Sequence, residues 1–117
     1  MRKQILSAIQ AHAAEEYPRE ACGVVIGNGK AQQYVRCRNT ASQPLEEFRM
    51  HPEDYAAAED QGEVVAIVHS HPDATSRPSP HDLAMCEASG LPWHILSWPE
   101  GNLRTIAPAG HIPLLGR

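Results

Sequence analysis

Aromatic side chains are scarce in this sequence, and basic ones are few. Tryptophan, tyrosine and phenylalanine make up 5% of the 117 residues, so a core has to be built mainly from Val, Ile, Leu and Ala. Ten basic residues stand against fourteen acidic ones, a formal net charge of -4, and no run of Lys or Arg could follow a phosphate backbone. The composition predicts one compact domain without a nucleic-acid partner.

A long apolar run is also missing. Residues 1–17 begin with two basic residues after the initiator methionine, but Gln, His and Glu interrupt their apolar positions. This pattern fits neither a signal peptide nor a membrane-spanning helix. We therefore expect a cytoplasmic protein with no membrane partner.

Cysteine is present in a pattern that excludes two kinds of site. Cys22, Cys37 and Cys86 are widely separated, odd in number and without a CxxC pair. Neither a disulfide framework nor a four-thiolate zinc site fits this spacing. Buried free thiols are the favoured expectation, and a Cys22 nucleophile assisted by His81 or His94 is the weaker alternative.

Hydrophobic periodicity and capping signals predict three helices and five strands, with a sixth strand in doubt. The predicted helices cover about residues 2–16, 51–60 and 80–89. The predicted strands cover residues 21–28, 31–39, 63–69, 92–98 and 102–108, with a possible short strand at residues 48–50. The first two strands should form a hairpin around the turn sequence Gly27-Asn28-Gly29. This order predicts an α+β (mixed α/β) fold with helices against one central sheet.

Histidines and carboxylates gather where the most apolar predicted strand meets the third helix, in the sequence HSHPDATSRPSPHD. His69 and His71 lie at alternate positions of a strand end, so both imidazoles point to the same side. Asp82 falls in the first turn of the helix that follows. Two histidines and one aspartate leave one position of a tetrahedral zinc ion open, which is typical of catalytic zinc.

Each part of this pattern also has a simpler explanation. Ser79, followed by proline and by Asp82 three residues later, is a good helix start, and taken alone it favours capping over metal ligation. A single His-x-His pair is more often structural than metal-binding. Hydrolysis would also need a carboxylate that is not a ligand to carry a proton. Glu20 is the candidate, and a solvated carboxylate at a strand edge is the alternative.

The residues also match the motif of a known family. HSH at residues 69–71, then seven residues, Ser79, two residues and Asp82 reproduce the H-[ST]-H-x7-S-x2-D pattern of the JAMM (MPN+) metallopeptidases. EACG at residues 20–23 resembles the E-x-C-G sequence that carries the family's catalytic glutamate. Residues 39–41 and the sequence FRMHPEDY look like the bacterial branch. The resemblance extends over about residues 3–108.

This resemblance implies a JAMM/MPN fold, with a cytidine-deaminase-like central sheet flanked by helices, and zinc-dependent cleavage of amide or isopeptide bonds. Residues 1–110 would form the metallopeptidase domain, and residues 111–117 a C-terminal tail or the start of a linker. Carried over by position, the metal ligands are His69, His71 and Asp82, and the catalytic residues are Glu20 and Ser79. Because histidine must be neutral to bind zinc, affinity and activity are expected to decline below about pH 6.

The C-terminal sequence GHIPLLGR is similar to the residues that follow the JAMM domain in the tail assembly proteins of lambdoid phages. The expected partner is thus a protein or peptide substrate, either a phage tail protein or a ubiquitin-like protein. Processing of a small sulfur-carrier protein and a non-catalytic MPN scaffold remain as alternatives. Trp93 and Trp98 flank a predicted strand. Their side chains are expected either to line a substrate groove or to fill the core.

Overall fold

The structure is a computed structural model that describes residues 1–28 and 31–109. Its three helices are α1 (Lys3–Glu16), α2 (Pro52–Gln61) and α3 (Pro80–Ser89). Proline occupies the first turn of both α2 and α3, where its missing N–H costs no hydrogen bond. Gly90 ends α3 with a left-handed φ of 70°, a conformation that glycine adopts without strain. All three helices were predicted from the sequence.

Five strands form a single mixed sheet. They are β1 (Cys22–Asn28), β2 (Ala31–Cys37), β3 (Glu63–Pro72), β4 (Trp93–Trp98) and β5 (Leu103–Ile106), in the spatial order β2-β1-β3-β4-β5. β3 and β4 are parallel and the other pairs are antiparallel. β3 is therefore the central strand, as its continuous apolar sequence predicts. The predicted α+β class with helices against one sheet is confirmed.

Two apolar clusters cover the two faces of the sheet. On one face, Ile5, Ile9 and Ala13 of α1 pack against the sheet around Val25 and Leu96. On the other face, α2, α3 and the segment before α2 enclose a second cluster, which includes Val24, Ala58, Cys86 and Trp93. Because side chains alternate along a strand, neighbouring positions of β1 and β3 contribute to opposite clusters. His69 and His71 project on the face of the second cluster.

Residues 48–50 do not form the short strand that the sequence suggested. The only pairing found there, within the described part of the chain, is an isolated bridge between Asn39 and Met50. The buried Asn39 side chain donates to the carbonyl of Glu47 and accepts from the N–H of Arg49, both at 3.0 Å. These side-chain bonds add to two backbone bonds that flank the bridge, from the N–H of Thr40 to the carbonyl of Arg49 and from the N–H of His51 to the carbonyl of Arg38.

The hairpin of β1 and β2 is present, with Asn28 paired to Ala31. β1 ends at Asn28, as the predicted strand over residues 21–28 does, and Gly29 of the predicted turn lies outside the described residues. The predicted tail at residues 111–117 also lies outside them. The three cysteines are buried free thiols, as expected. Within residues 1–28 and 31–109, no helix combines the length and apolar character needed to cross a bilayer.

Candidate metal centre and active site

The two histidines lie at the end of the central strand, where three strands meet. His69 is paired with Cys22 of β1 on one side and with Ile95 of β4 on the other. His71, two residues further along β3, faces Ser97 of β4. The pleat turns both imidazoles to the same side, as predicted, and their Nε2 atoms are 3.2 Å apart.

The first turn of α3 brings a carboxylate to the same point. Asp82 Oδ1 is 3.2 Å from His69 Nε2, and Asp82 Oδ2 is 3.1 Å from His71 Nε2. Tetrahedral zinc, with bonds of about 2.0–2.1 Å, holds its ligand atoms roughly 3.3 Å apart. The separation of the two Nε2 atoms matches that value, and each Nε2 atom has a different oxygen of Asp82 at a similar distance. With one ligand atom taken from each residue, all three lie within 4.8 Å of one another. These three residues are also a group that could hold a metal ion by the proximity of their ligand atoms.

The chemistry of the three donor atoms also fits a cation. His71 Nδ1 lies 2.9 Å from the carbonyl oxygen of Thr75, an acceptor, so Nδ1 carries a proton. In neutral His71 the Nε2 atom then carries no proton, and its lone pair faces the negative oxygen of Asp82. Two acceptors at 3.1 Å need either a second proton or a cation between them. A hydrogen-bonded outer nitrogen is also the usual arrangement of a histidine that binds zinc.

Protonation in the metal-free protein follows from the surroundings of each group. Burial lowers the pKa of His69 and outweighs the raising effect of Asp82. Burial acts the same way on His71, but there the hydrogen bonds to Asp82 and Thr75 prevail and raise the pKa. Burial alone would raise the pKa of Asp82, whereas the hydrogen bonds from both histidines hold it well below its usual range. Asp82 is therefore ionised, as a ligand must be.

Glu20 lies directly before β1, beside the end of β3. The backbone N–H of Ser70 donates to the carbonyl of Ala21, and the Ser70 hydroxyl accepts from the N–H of Ala21. Continuing this antiparallel register places Glu20 opposite His71. The side chain is only 6% exposed, and burial raises its pKa to about 7, with Asp82 adding to the rise and His71 opposing it. A carboxyl with that pKa exchanges protons readily at neutral pH.

Ser79 begins α3 and is exposed. Its Oγ accepts from the N–H of Asp82 at 3.0 Å, while its own N–H donates to Asp82 Oδ2 at 2.9 Å. This reciprocal capping box is the helix start that the sequence predicted. The Oγ acts as an acceptor in the cap, which leaves the hydroxyl hydrogen available to another acceptor. The cap also orients the carboxylate of Asp82 toward the histidines.

Sequence comparison assigns this arrangement to a family. Residues 2–107 match the family described as prokaryotic homologs of the JAB domain, Prok-JAB. The chain belongs to this family. The resemblance drawn from the two motifs is thereby confirmed, since JAB and JAMM/MPN domains share this fold.

Individual relatives of this JAB domain differ in what their names say they do. The chain is 62% identical, over all of its 117 residues, to tail tip assembly protein K of Escherichia phage N15, and it spans about half of that protein's length, 48%. It is 31% identical to the desampylase of Haloferax volcanii over 87% of the chain and 78% of the relative. A solved structure described as "JAMM: a metalloprotease-like zinc site in the proteasome and signalosome" superposes with a TM-score of 0.59 at 22% identity, covering 93% of this chain and 86% of that one.

The JAB domain also has features around the histidines that the sequence analysis did not find. The Phe48 ring stacks on His69 at a centroid distance of 4.6 Å, and the Trp93 ring meets it edge-on at 5.5 Å. Phe48 stands 21 residues before His69 in the chain, with no periodic pattern to link them. Nδ1 of His69 is buried, with no hydrogen-bond partner among the described residues. The orientation of this imidazole is therefore held by ring packing and by Asp82.

Cys22 is not arranged as a nucleophile. Its side chain is fully buried, and burial raises the pKa of the thiol far above its ordinary value. Its Sγ lies near the carbonyl oxygens of Cys37 and Arg38. A thiol of this kind packs as a small apolar group, which was the favoured expectation. The glycine of the same EACG motif has a steric role, because a Cβ at Gly23 would lie 2.6 Å from the hydroxyl of Tyr34.

Proposed function

We propose that this JAB domain, residues 1–110, is a zinc-dependent metallopeptidase or isopeptidase that hydrolyses an amide bond. The observation that carries the proposal is the convergence of His69, His71 and Asp82, with the buried carboxyl of Glu20 near enough for His71 and Asp82 to shift its pKa. Three ligands leave one zinc position open to water or substrate, as in catalytic zinc sites. A purely structural zinc site would close that position.

The proposed chemistry divides the work among the residues at this site. Zinc held by the three ligands would supply a Lewis acid that makes water nucleophilic near neutral pH. Glu20 takes a proton from the attacking water and later delivers it to the nitrogen of the leaving amine. The Ser79 hydroxyl donates a hydrogen bond to the oxygen that becomes negative when the carbonyl is attacked. Thr75 keeps His71 in the tautomer that presents Nε2 to the metal.

The substrate proposed first is a protein of a phage tail, cleaved in the cytoplasm during assembly. The support is the identity of 62%, over the full chain, to tail tip assembly protein K. The chain spans 48% of that relative, so residues 111–117 are proposed as a tail or the start of a linker. The sequence GHIPLLGR supports the same placement.

Cleavage of conjugates of ubiquitin-like proteins is the second candidate, including the processing of a small sulfur carrier. It is favoured by the 31% identity to a desampylase, of which the chain covers 78%. A non-catalytic MPN scaffold is the third. Such a scaffold has no need for a proton carrier, whereas Glu20 is retained here in a buried position that raises its pKa to about 7.

The test compares zinc-loaded wild type, Glu20→Gln and Glu46→Gln on phage tail-tip proteins and on ubiquitin-like proteins joined to a lysine or a C-terminal extension. Glu46 is an exposed glutamate, so the same substitution there is the matched control. Cleavage by wild type and Glu46→Gln, with a loss of about a hundredfold or more in Glu20→Gln at equal zinc content, supports the enzyme. Absence of cleavage by zinc-loaded wild type across both sets favours the scaffold.

A further inference from the structure

A large cavity opens beside the histidines, between the segment before α2 and the helix α3. Its volume is about 800 Å³. Most of its lining surface is apolar, and the large apolar residues that line it are Phe48, Met50, Ile67, Met85 and Trp93. Pockets of this volume accommodate ligands the size of two or three amino-acid residues. The cavity has no role in the chemistry described above.

Two of its walls are shared with the candidate metal centre. The rings of Phe48 and Trp93 line the cavity, and both contact the imidazole of His69. They also contact each other at a centroid distance of 5.6 Å. The cavity is therefore separated from a metal ligand by the thickness of one aromatic ring. A group bound in it would lie within the thickness of one aromatic ring of the His69 imidazole.

The polar atoms on this wall are already engaged. The indole Nε1 of Trp93 donates to the hydroxyl of Ser89, which itself donates to the carbonyl of Cys86. The same hydroxyl accepts from the N–H of Leu91. Glu47, Arg49 and His81 also line the cavity and are exposed to solvent. Thr40, Ser42 and Tyr55 add hydroxyl groups elsewhere in the lining. The wall formed by Phe48 and Trp93 thus offers apolar surface and an indole N–H that is already bonded, which favours an apolar ligand group there.

We infer that this cavity is a substrate subsite that binds a large apolar side chain, leucine-like or aromatic, close to the amide bond to be cleaved. The inference rests on the proposed function for what happens to that amide. The binding itself needs no metal. An apolar pocket discriminates on the order of tenfold to hundredfold between side chains that fill it and side chains that do not.

Helix α3 supplies a matched pair of positions for testing the subsite. Met85 lines the cavity and is 43% exposed, whereas Leu83 on the same helix is 50% exposed and does not line it. A lysine is compatible with an exposed helical position, so neither substitution should unfold the chain. Only the lysine at position 85 places a charge in the cavity.

The experiment measures binding through the fluorescence of Trp93, with Trp98 replaced by Phe in every sample. The probes are the blocked peptides acetyl-Gly-Phe-Gly-amide and acetyl-Gly-Ser-Gly-amide, added to metal-free and to zinc-loaded Glu20→Gln protein. The phenylalanine peptide is expected to bind at least about tenfold more tightly than the serine peptide. Met85→Lys should weaken that binding about tenfold or more, and Leu83→Lys should leave it within about twofold.

Equal binding of the two peptides, equal effects of the two lysines, or no saturable fluorescence change would each overturn the subsite. A second measurement separates this outcome from a failure of the proposed function. Tail-tip and ubiquitin-like substrates are incubated with zinc-loaded protein that retains Glu20. Selective peptide binding without any hydrolysis would support the subsite and reject the proposed peptidase. Hydrolysis at equal rates in Met85→Lys and Leu83→Lys would support the peptidase and reject the subsite.

Discussion

The hydroxyl of Tyr17 donates to both carboxylate oxygens of Asp73, at 2.7 and 2.8 Å, although 56 residues separate them in the sequence. Tyr17 ends α1 three residues before Glu20, and Asp73 follows β3 two residues after His71. Asp73 also has a left-handed φ of 57°, which is uncommon for a residue other than glycine. The bond thus joins the segment between α1 and Glu20 to the loop that connects β3, with His69 and His71, to α3, with Asp82.

We predict that Asp73→Asn lowers the pKa of the Tyr17 phenol. That pKa is raised first by the hydrogen bond to Asp73 and then by partial burial, because ionised Tyr17 would lose the bond and face a carboxylate. A titration followed by phenolate absorbance should show part of the signal moving to lower pH. In Tyr17→Phe protein the same Asp73 substitution should move nothing. A shift that persists without Tyr17 would contradict the assignment.

For Glu20→Gln we predict a gain in the stability of the metal-free protein at high pH. Burial raises the pKa of Glu20 from 4.5 to about 7. Between these two pH values the carboxyl is protonated in the folded state and ionised in the unfolded state. The contribution of Glu20 to stability therefore falls as pH rises from about 4.5 to about 7. Above that range the substitution should stabilise by about 3 kcal/mol, and near pH 4 by almost nothing.

Thermal or denaturant unfolding at the two pH values measures this difference. Glu46→Gln is the control, since that carboxylate is exposed and its removal should change stability little at either pH. An equal gain for Glu20→Gln at both pH values would show that the effect comes from packing and not from the ionisation of Glu20.

Zinc affinity is predicted to fall as pH decreases, beginning above the ordinary histidine value of 6.5. Protonated His71 competes with the metal, and its pKa is raised because the hydrogen bonds to Asp82 and Thr75 outweigh burial. Below that pKa the affinity should drop about tenfold per pH unit for each proton displaced. The onset is thus higher than the value near pH 6 expected from the sequence. Competition with a chromophoric chelator measures it, with His81→Gln as the exposed control.

Substitutions of Ser79 should separate helix capping from catalysis. Ser79→Ala removes the acceptor for the N–H of Asp82, which should cost about 1 kcal/mol of stability, and it should lower turnover about a hundredfold. Ser79→Asp keeps a capping acceptor but has no hydroxyl to donate. It should restore stability and leave turnover low. The zinc content of each variant is measured alongside, and recovery of turnover in Ser79→Asp would refute the oxyanion role.

A methyl group at Gly23 should disrupt the hairpin of β1 and β2. The added Cβ would meet the carbonyl oxygen of Val35 and the Tyr34 side chain, whose hydroxyl would be 2.6 Å away. Overpacking of this kind costs about 1–3 kcal/mol. Gly27→Ala on the same strand is the control, because its Cβ would meet neighbours at 3.5 Å or more. Equal melting temperatures for the two variants would contradict this explanation of the motif glycine.

Local sequence patterns were sufficient for part of the site. Alternation along a strand places His69 and His71 on one side whatever the rest of the chain does. The spacing of Ser79 and Asp82 predicts a capping box, which depends only on the geometry of a helix start. The possible strand at residues 48–50 is reduced to a single bridge at Met50, because the Asn39 side chain binds the carbonyl of Glu47 and the N–H of Arg49. These contacts join residues eight to ten positions apart, which no local pattern predicts.

What the sequence by itself determined is the set of elements and the chemistry that each one carries, because capping and periodicity act over a few residues. Only the tertiary structure decided the burial, the pKa values and the ring contacts of these residues. The register of β1 on β3 buries Glu20 and raises its pKa, and packing across the sheet face brings Phe48 and Trp93 onto His69. Burial and ring contacts of this kind join residues distant in the chain, so no short-range pattern encodes them.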